Sequence, residues 1–194
     1  MAGRSVVWTF PAAPLSLVRR FHAAALGQAS ALIVLGSTSA YRLPVPGEPG
    51  AAVPTVDEHA PLDLEQPRVA GEEWLRTRGA TVLQLAGIFG PARDPAAWLR
   101  AGRIRDGAKI VNLVHLDDIV HVIAHLLAHP MPGERINVGN GEPVAWRVLE
   151  AAMKRHGRIP EDLLLASSGP GEHGKRVDVT RLRALLPHHR FHMP

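Results

Sequence analysis

The sequence predicts an α/β protein built on a parallel sheet, and three observations carry that expectation. Short apolar, β-branched runs alternate with segments of helical periodicity along most of the chain, the pattern of strands joined by helical crossovers. One run, Ala31-Leu32-Ile33-Val34, stops in a small, hydroxyl-rich turn, Leu35-Gly36-Ser37-Thr38-Ser39-Ala40-Tyr41. A buried strand that ends this way delivers polar groups to a crevice at its carboxyl end, where open α/β sheets bind ligands. Finally, 194 residues that are 46% apolar and 21% charged suit one domain able to bury a real core.

The elements follow in order. Residues 6–10 (Val-Val-Trp-Thr-Phe) read as a strand ended by Pro11, and 14–26 as a helix capped by Gly27. After the strand at 31–35 comes a stretch dense in Pro and Gly, from 42 to about 61, a length typical of functional loops or disorder. Residues 67–78 return to helix, with Val69, Trp74 and Leu75 facing the core and Gly79 closing it. A strand at 81–85 leads into the turn Ala86-Gly87-Ile88-Phe89-Gly90-Pro91. A short helix at 95–101 and a strand at 109–114 precede a strong helix at 117–128. There Ile119, Val120, Ile123, Leu126 and Leu127 share helical spacing, and Asp117-Asp118 occupy the positive end of the dipole. A strand at 135–138, a helix at 143–156 with Pro143 near its start and Gly157 past its end, a strand at 163–166 and a helix at 178–186 complete the expectation.

Composition removes several functions. The chain has no cysteine, which excludes disulfides, thiol catalysis and thiolate metal sites. No run approaches the ~18 apolar residues of a membrane span, and no export signal is visible, so the expected location is the cytoplasm. The net charge of +4 comes from scattered arginines, with only four Phe, four Trp and one Tyr. No basic patch is interleaved with aromatic residues, so no nucleic-acid partner is expected.

The order of the motifs is informative. The strand ending in Leu-Gly-Ser-Thr-Ser-Ala-Tyr is followed by Val56-Asp57-Glu58 with Pro61, then Gly71-Glu72-Glu73-Trp74-Leu75. Leu85-Ala86-Gly87-Ile88-Phe89-Gly90-Pro91, Asn112-Leu113-Val114-His115-Leu116-Asp117-Asp118 and Ile136-Asn137-Val138 come after. Taken together over residues 6–186, this order resembles the extended short-chain dehydrogenase/reductase family, the NAD-dependent epimerase/dehydratase group. The late Gly174-Lys175-Arg176-Val177-Asp178 and Arg181-Leu182 resemble its C-terminal lobe. The resemblance implies a Rossmann-type parallel sheet flanked by helices. It divides the chain into a partial NAD(P)-binding-like domain at 1–92 and a substrate-side lobe at 93–194 mixed with remaining Rossmann elements. It also implies NAD or NADP as cofactor and a small-molecule substrate of the nucleotide-sugar class or a related hydroxyl or carbonyl compound.

Two parts of the family pattern are absent from this sequence. No G-x-x-G-x-x-G or G-x-G-x-x-G occurs, and that turn holds the pyrophosphate. Residues 6–10 resemble the family's fourth strand, so the sheet is expected to be incomplete at its N-terminal side, with weak or absent cofactor binding by this chain alone. Family chemistry also uses a Ser/Thr with a Tyr-x-x-x-Lys pair, in which the Lys lowers the phenol pKa. Ser37 matches the Ser/Thr position. Anchored on the Gly71 motif, the Tyr falls on Leu64 and the Lys on Arg68. Leucine transfers no proton, and a guanidinium does not deprotonate at working pH, though it can hydrogen-bond a ribose. Tyr41 is the single tyrosine and is expected to pack under the long loop.

The residues expected to matter are therefore Ser37 as the catalytic hydroxyl, and Thr9, Phe10, Gly36, Ser37, Arg68, Ala86 and Ile88 along the cofactor. Arg93, Asn112 and His115 are expected on the substrate side. His121, His125 and His129 recur at i, i+4 without H-E-x-x-H or a carboxylate set, so they are expected on a solvated face and no metal site is expected. His188, His189 and His192 form a tail cluster able to take metal adventitiously. Asp57-Glu58 are expected to order a loop, and Trp74 and Trp146 to face the core. The turn at Ser37 lacks the G-x-S-x-G elbow of a serine hydrolase. The expected function is that of an epimerase/dehydratase-like NAD(P) protein, catalytically impaired. The alternative is a non-catalytic interaction protein that uses an exposed sheet edge to bind a partner or to form a homodimer.

Overall fold

The computed structural model describes residues 3–43, 52–166 and 171–194; residues 44–51 of the expected long loop lie outside them. A four-stranded parallel sheet forms the centre. Its strands are β1 (Ser5–Trp8), β2 (Ala31–Ser37), β4 (Thr81–Leu85) and β8 (Arg135–Val138), side by side in the order β1-β2-β4-β8. Between them in sequence lie α1 (Leu15–Phe21), β3 (Thr55–Val56) and α2 (Pro67–Arg76). After β4 come β5 (Gly87–Phe89), α3 (Pro95–Arg100), β6 (Ile110–Val111), β7 (Leu113–His115) and α4 (Leu116–Ala128). After β8 come β9 (Val144–Ala145), α5 (Trp146–Arg155), β10 (Arg176–Val177) and α6 (Thr180–Leu185).

Alternation along the strands sorts their side chains into two cores. Leu32, Val34 and Val82 pack with Trp8 against Val18 of α1 and Leu75 of α2. Ile33, Leu83, Leu85, Ile136 and Val138 pack on the other face against Ile119, Val122 and Leu126 of α4 and Leu182 of α6. A parallel sheet covered on both faces needs apolar residues at successive positions, which is why its strands read as continuous apolar runs. A third core lies apart, where Ala96 and Leu99 of α3 meet Trp146 and Met153 of α5.

Helix α2 illustrates how the sequence sets a boundary and a packing distance. Pro67 stands in its first turn, where a missing N–H costs nothing. Gly79, at φ +91°, lets the chain reverse beyond its end. Gly71 lets α2 lie directly on the chain after β1: a Cβ there would sit 1.8 Å from the Ala12 carbonyl oxygen.

Several expected boundaries are corrected. The strand expected at 109–114 is two strands broken at Asn112. Its β6 half pairs antiparallel with β9 and its β7 half parallel with β5. Asn112 splits them because its side chain is committed to the backbone of β10: Nδ2 donates to the Lys175 carbonyl at 2.9 Å, and Oδ1 accepts from Val177 N–H at 2.8 Å. The helix expected from 143 begins at Trp146, since Val144 and Ala145 are taken by that pairing. Residues 163–166 form no strand; Leu165 N–H bonds the Glu150 carboxylate at 3.3 Å and Leu164 points to solvent. The helix expected to run to residue 26 ends its α-helical hydrogen bonding at Phe21 and widens into one π-helical segment, His22–Leu26. β3 and β10, paired in parallel through Thr55 with Arg176 and Val56 with Val177, were not expected.

Candidate functional site at the carboxyl ends of the sheet

Ser37 is the last residue of β2 and stands in register with Leu85, the last of β4. The two strands therefore end side by side, where the crevice was expected. Ser37 also starts the 3-10 turn Thr38–Ala40. Its Oγ accepts from the Ser39 N–H at 3.2 Å and from Ser39 Oγ at 3.2 Å. These are the bonds of a turn-capping serine, and they hold two hydroxyls at the strand end.

Helix α2 brings the charge. Arg68 Nη2 donates to Ser39 Oγ at 3.2 Å, and Arg68 Nη1 pairs one turn along with Glu72. Glu72 is buried beneath Gly36, and Gln84 Nε2 donates to its second oxygen at 3.3 Å. Burial raises the Glu72 pKa, opposed by the Arg68 charge and by hydrogen bonds from Arg68 and Gln84. Gly36 has to be small here: a Cβ would lie 2.7 Å from Glu72 Oε2 and 2.9 Å from Gln84 Oε1. Gln84 Oε1 is itself buried without a hydrogen-bond partner among the described residues.

A lysine that the sequence did not single out completes the cluster. Lys175, just before β10, donates from Nζ to the Thr38 carbonyl at 2.5 Å and lies 5.9 Å from the centre of the Tyr41 ring. Burial, with Lys109 nearby, lowers its pKa. The two hydroxyls, guanidinium and ammonium can orient hydroxyl, carbonyl or phosphate oxygens.

No phenol enters this cluster. Tyr41 is buried, and its hydroxyl donates to Asn137 Oδ1 at 2.5 Å. Desolvation drives its pKa far above the ordinary range, as suits a packed tyrosine. Leu64, at the position implied for the family tyrosine, is exposed. Glu58 bonds the Asn137 N–H at 2.9 Å and Asp57 the His59 N–H at 2.9 Å, so both order the chain around Tyr41.

The other expected residues are spread along the strand ends. Thr9 and Phe10 lie exposed just past β1; Ala86 is buried after β4, and Ile88 is half-buried in β5. Arg93 is exposed, with Nε donating to the Ile88 carbonyl at 3.0 Å. His115 caps α4 by accepting the Asp117 N–H at 3.2 Å. Asn112 holds β10 and, through it, Lys175. A cavity of about 270 Å³ lies elsewhere, among Leu26, Ala31, Arg78 and Thr81 at the amino ends of the strands. Parallel sheets carry their ligand sites at the opposite ends, and the charged groups stand there too.

No family model matches the chain. It is 35% identical over 158 residues to protein YeeZ of Escherichia coli K12, a match covering 78% of this chain and 54% of that protein. The chain thus spans about half the length of the curated relatives it matches. A functionally unknown conserved protein from Silicibacter pomeroyi superimposes with a TM-score of 0.70 at 25% identity, over 96% of this chain and 72% of that one. UDP-glucuronic acid 4-epimerase from Bacillus cereus, in complex with NAD, gives 0.61 at 15% identity, over 93% and 61%. dTDP-glucose 4,6-dehydratase from Streptomyces venezuelae, with NAD bound, gives 0.63 at 18%, over 91% and 59%. The chain has the NAD-dependent epimerase/dehydratase fold. In that fold the strand ends bearing Ser37 and Leu85 form part of the central sheet. Among the described residues no helix is long and apolar enough to cross a membrane.

Proposed function

We propose that the chain is an atypical member of the extended short-chain dehydrogenase/reductase family, of the epimerase/dehydratase group. In this reading it binds an NAD(P)-type dinucleotide and a nucleotide-sugar-like substrate without the family's proton relay. The observation that supports it best is the cluster of Ser37, Ser39 and Arg68 at the strand ends of a fold shared with NAD-bound enzymes. Arg68 stands where the resemblance implies a lysine, and its guanidinium suits ribose hydroxyls. Ser37 suits a substrate hydroxyl or carbonyl. Thr9, Phe10, Gly36, Ala86 and Ile88 flank the dinucleotide, while Arg93 and His115 face the substrate. Asn112 acts by positioning Lys175. NAD(P), when bound, supplies hydride chemistry; the chain's own residues bind and orient, and the buried Tyr41 hydroxyl moves no proton.

Calorimetric titration of NADH and NADPH tests this. Weak, saturable binding of one of them is expected, weakened further, at least about fivefold (about 1 kcal/mol), in S37A and R68A. No saturable binding at millimolar nucleotide would overturn the reading. A second reading is favoured by β1, which stands at the sheet edge beside exposed Phe10, Leu17 and Phe21. Such an edge suits pairing with a partner or a second copy. A dimer in light scattering, together with absent nucleotide binding, is its signature.

A further inference from the structure

The tail of the chain folds against the first turn of α4, around a buried carboxylate. Asp118 is fully buried and accepts from His189 Nε2 at 2.9 Å, from the His192 backbone N–H at 3.0 Å and from His192 Nδ1 at 2.9 Å. In the neutral ring that last bond puts the proton on Nδ1 and leaves Nε2 with a lone pair. A carboxylate behind an imidazole is the arrangement that orients metal-binding histidines and raises their basicity.

His192 stacks on His115, their ring centres 4.4 Å apart. His115 turns Nδ1 toward Asp117. That nitrogen sits 3.2 Å from the Asp117 N–H and 3.6 Å from Asp117 Oδ2. Ligand atoms of His115, Asp117 and His192 all lie within 4.8 Å of one another. Ligands about 2.0–2.1 Å from a four-coordinate zinc ion stand closer together than that. His192 is held by Asp118, whereas the Asp117 side chain is 71% exposed, so it is the Asp117 carboxylate that closes the site.

We infer that His115, Asp117 and His192 form a site for a divalent transition metal, with Asp118 positioning His192. Two imidazoles and one carboxylate favour zinc, cobalt or nickel over magnesium or calcium. The cation takes the place of the Asp117 N–H at His115 Nδ1, with the fourth position open to water or an anion. Binding there ties the tail to the head of α4.

Protein free of any affinity tag is titrated with zinc chloride by calorimetry and with cobalt chloride by visible absorbance. One equivalent is expected to bind, with a cobalt spectrum of tetrahedral intensity. H115A and H192A should each weaken zinc binding at least about tenfold (1.4 kcal/mol). D117N, at an exposed position that leaves the core untouched, should weaken it as well, while H125A and H129A should not. The inference fails if no single saturable equivalent appears. It fails equally if binding survives in H115A and H192A and is lost in H125A, which would mark an adventitious ion on the helix surface.

Discussion

Tyr41 carries the chain's single phenol, and its place decides what chemistry the crevice lacks. It lies four residues from Ser37, yet its hydroxyl turns inward to Asn137. In Y41F the Asn137 Oδ1 loses that donor, which should cost about 1–2 kcal/mol of stability in denaturant titrations and leave nucleotide affinity unchanged. Glu73 gives a pH signature. Its carboxyl is held below its ordinary value, first by the Arg76 hydrogen bonds and also by the Arg135 charge, against the cost of burial. Arg135 Nη2 bonds it at 2.7 Å, joining β8 to α2. A depressed folded pKa contributes stability above the unfolded value and loses it as pH falls through the folded one. E73Q should therefore be less stable than the parent by about 1–2 kcal/mol at neutral pH. The gap should close as pH drops below the ordinary Glu range. Thermal melts across the acid range check this.

Among the elements, those with a strong repeating pattern were legible and those defined by distant partners were not. β2 and β4 are buried on both faces, so their apolar runs announce them. α4 was legible as a helix, although Val120 and Leu127 of its expected stripe are exposed and Val122 joins Ile119 and Leu126 in the core instead; Pro67 and Gly79 bracket α2. By contrast β3 and β10 are two residues each and exist because they pair across the chain. The break at Asn112 likewise depends on hydrogen bonds to residues 175 and 177, which no local pattern encodes. Packing of α2 offers the sharpest test at this scale. G71A places a methyl against the Ala12 carbonyl, where neither helix nor loop backbone can yield cheaply. A loss of about 3 kcal/mol or more is expected, read as a shift of the denaturation midpoint.

For the molecule as a whole, the expectation that strand ends converge near Ser37 rests on the parallel order β1-β2-β4-β8, and the register of Ser37 with Leu85 meets it. The hydroxyl turn was legible because it directly follows its strand. Arg68, by its spacing from the Gly71 motif, was legible as well. Lys175 was not: it reaches Thr38 from 137 residues away, by way of β10. The tail histidines were visible as a cluster, but not their anchor on buried Asp118, which looked like an ordinary helix-dipole residue. The central claim, a dinucleotide-type crevice at these strand ends, is tested most directly by amide hydrogen exchange with and without saturating NADH or NADPH. The account predicts slowed exchange confined to the ends of β1, β2 and β4 and the residues just after them, including Thr9, Phe10, Ser37, Ser39, Ala86 and Ile88, and to the first turn of α2. Unchanged exchange there, or slowing only around the cavity at the amino ends of the strands, would contradict it.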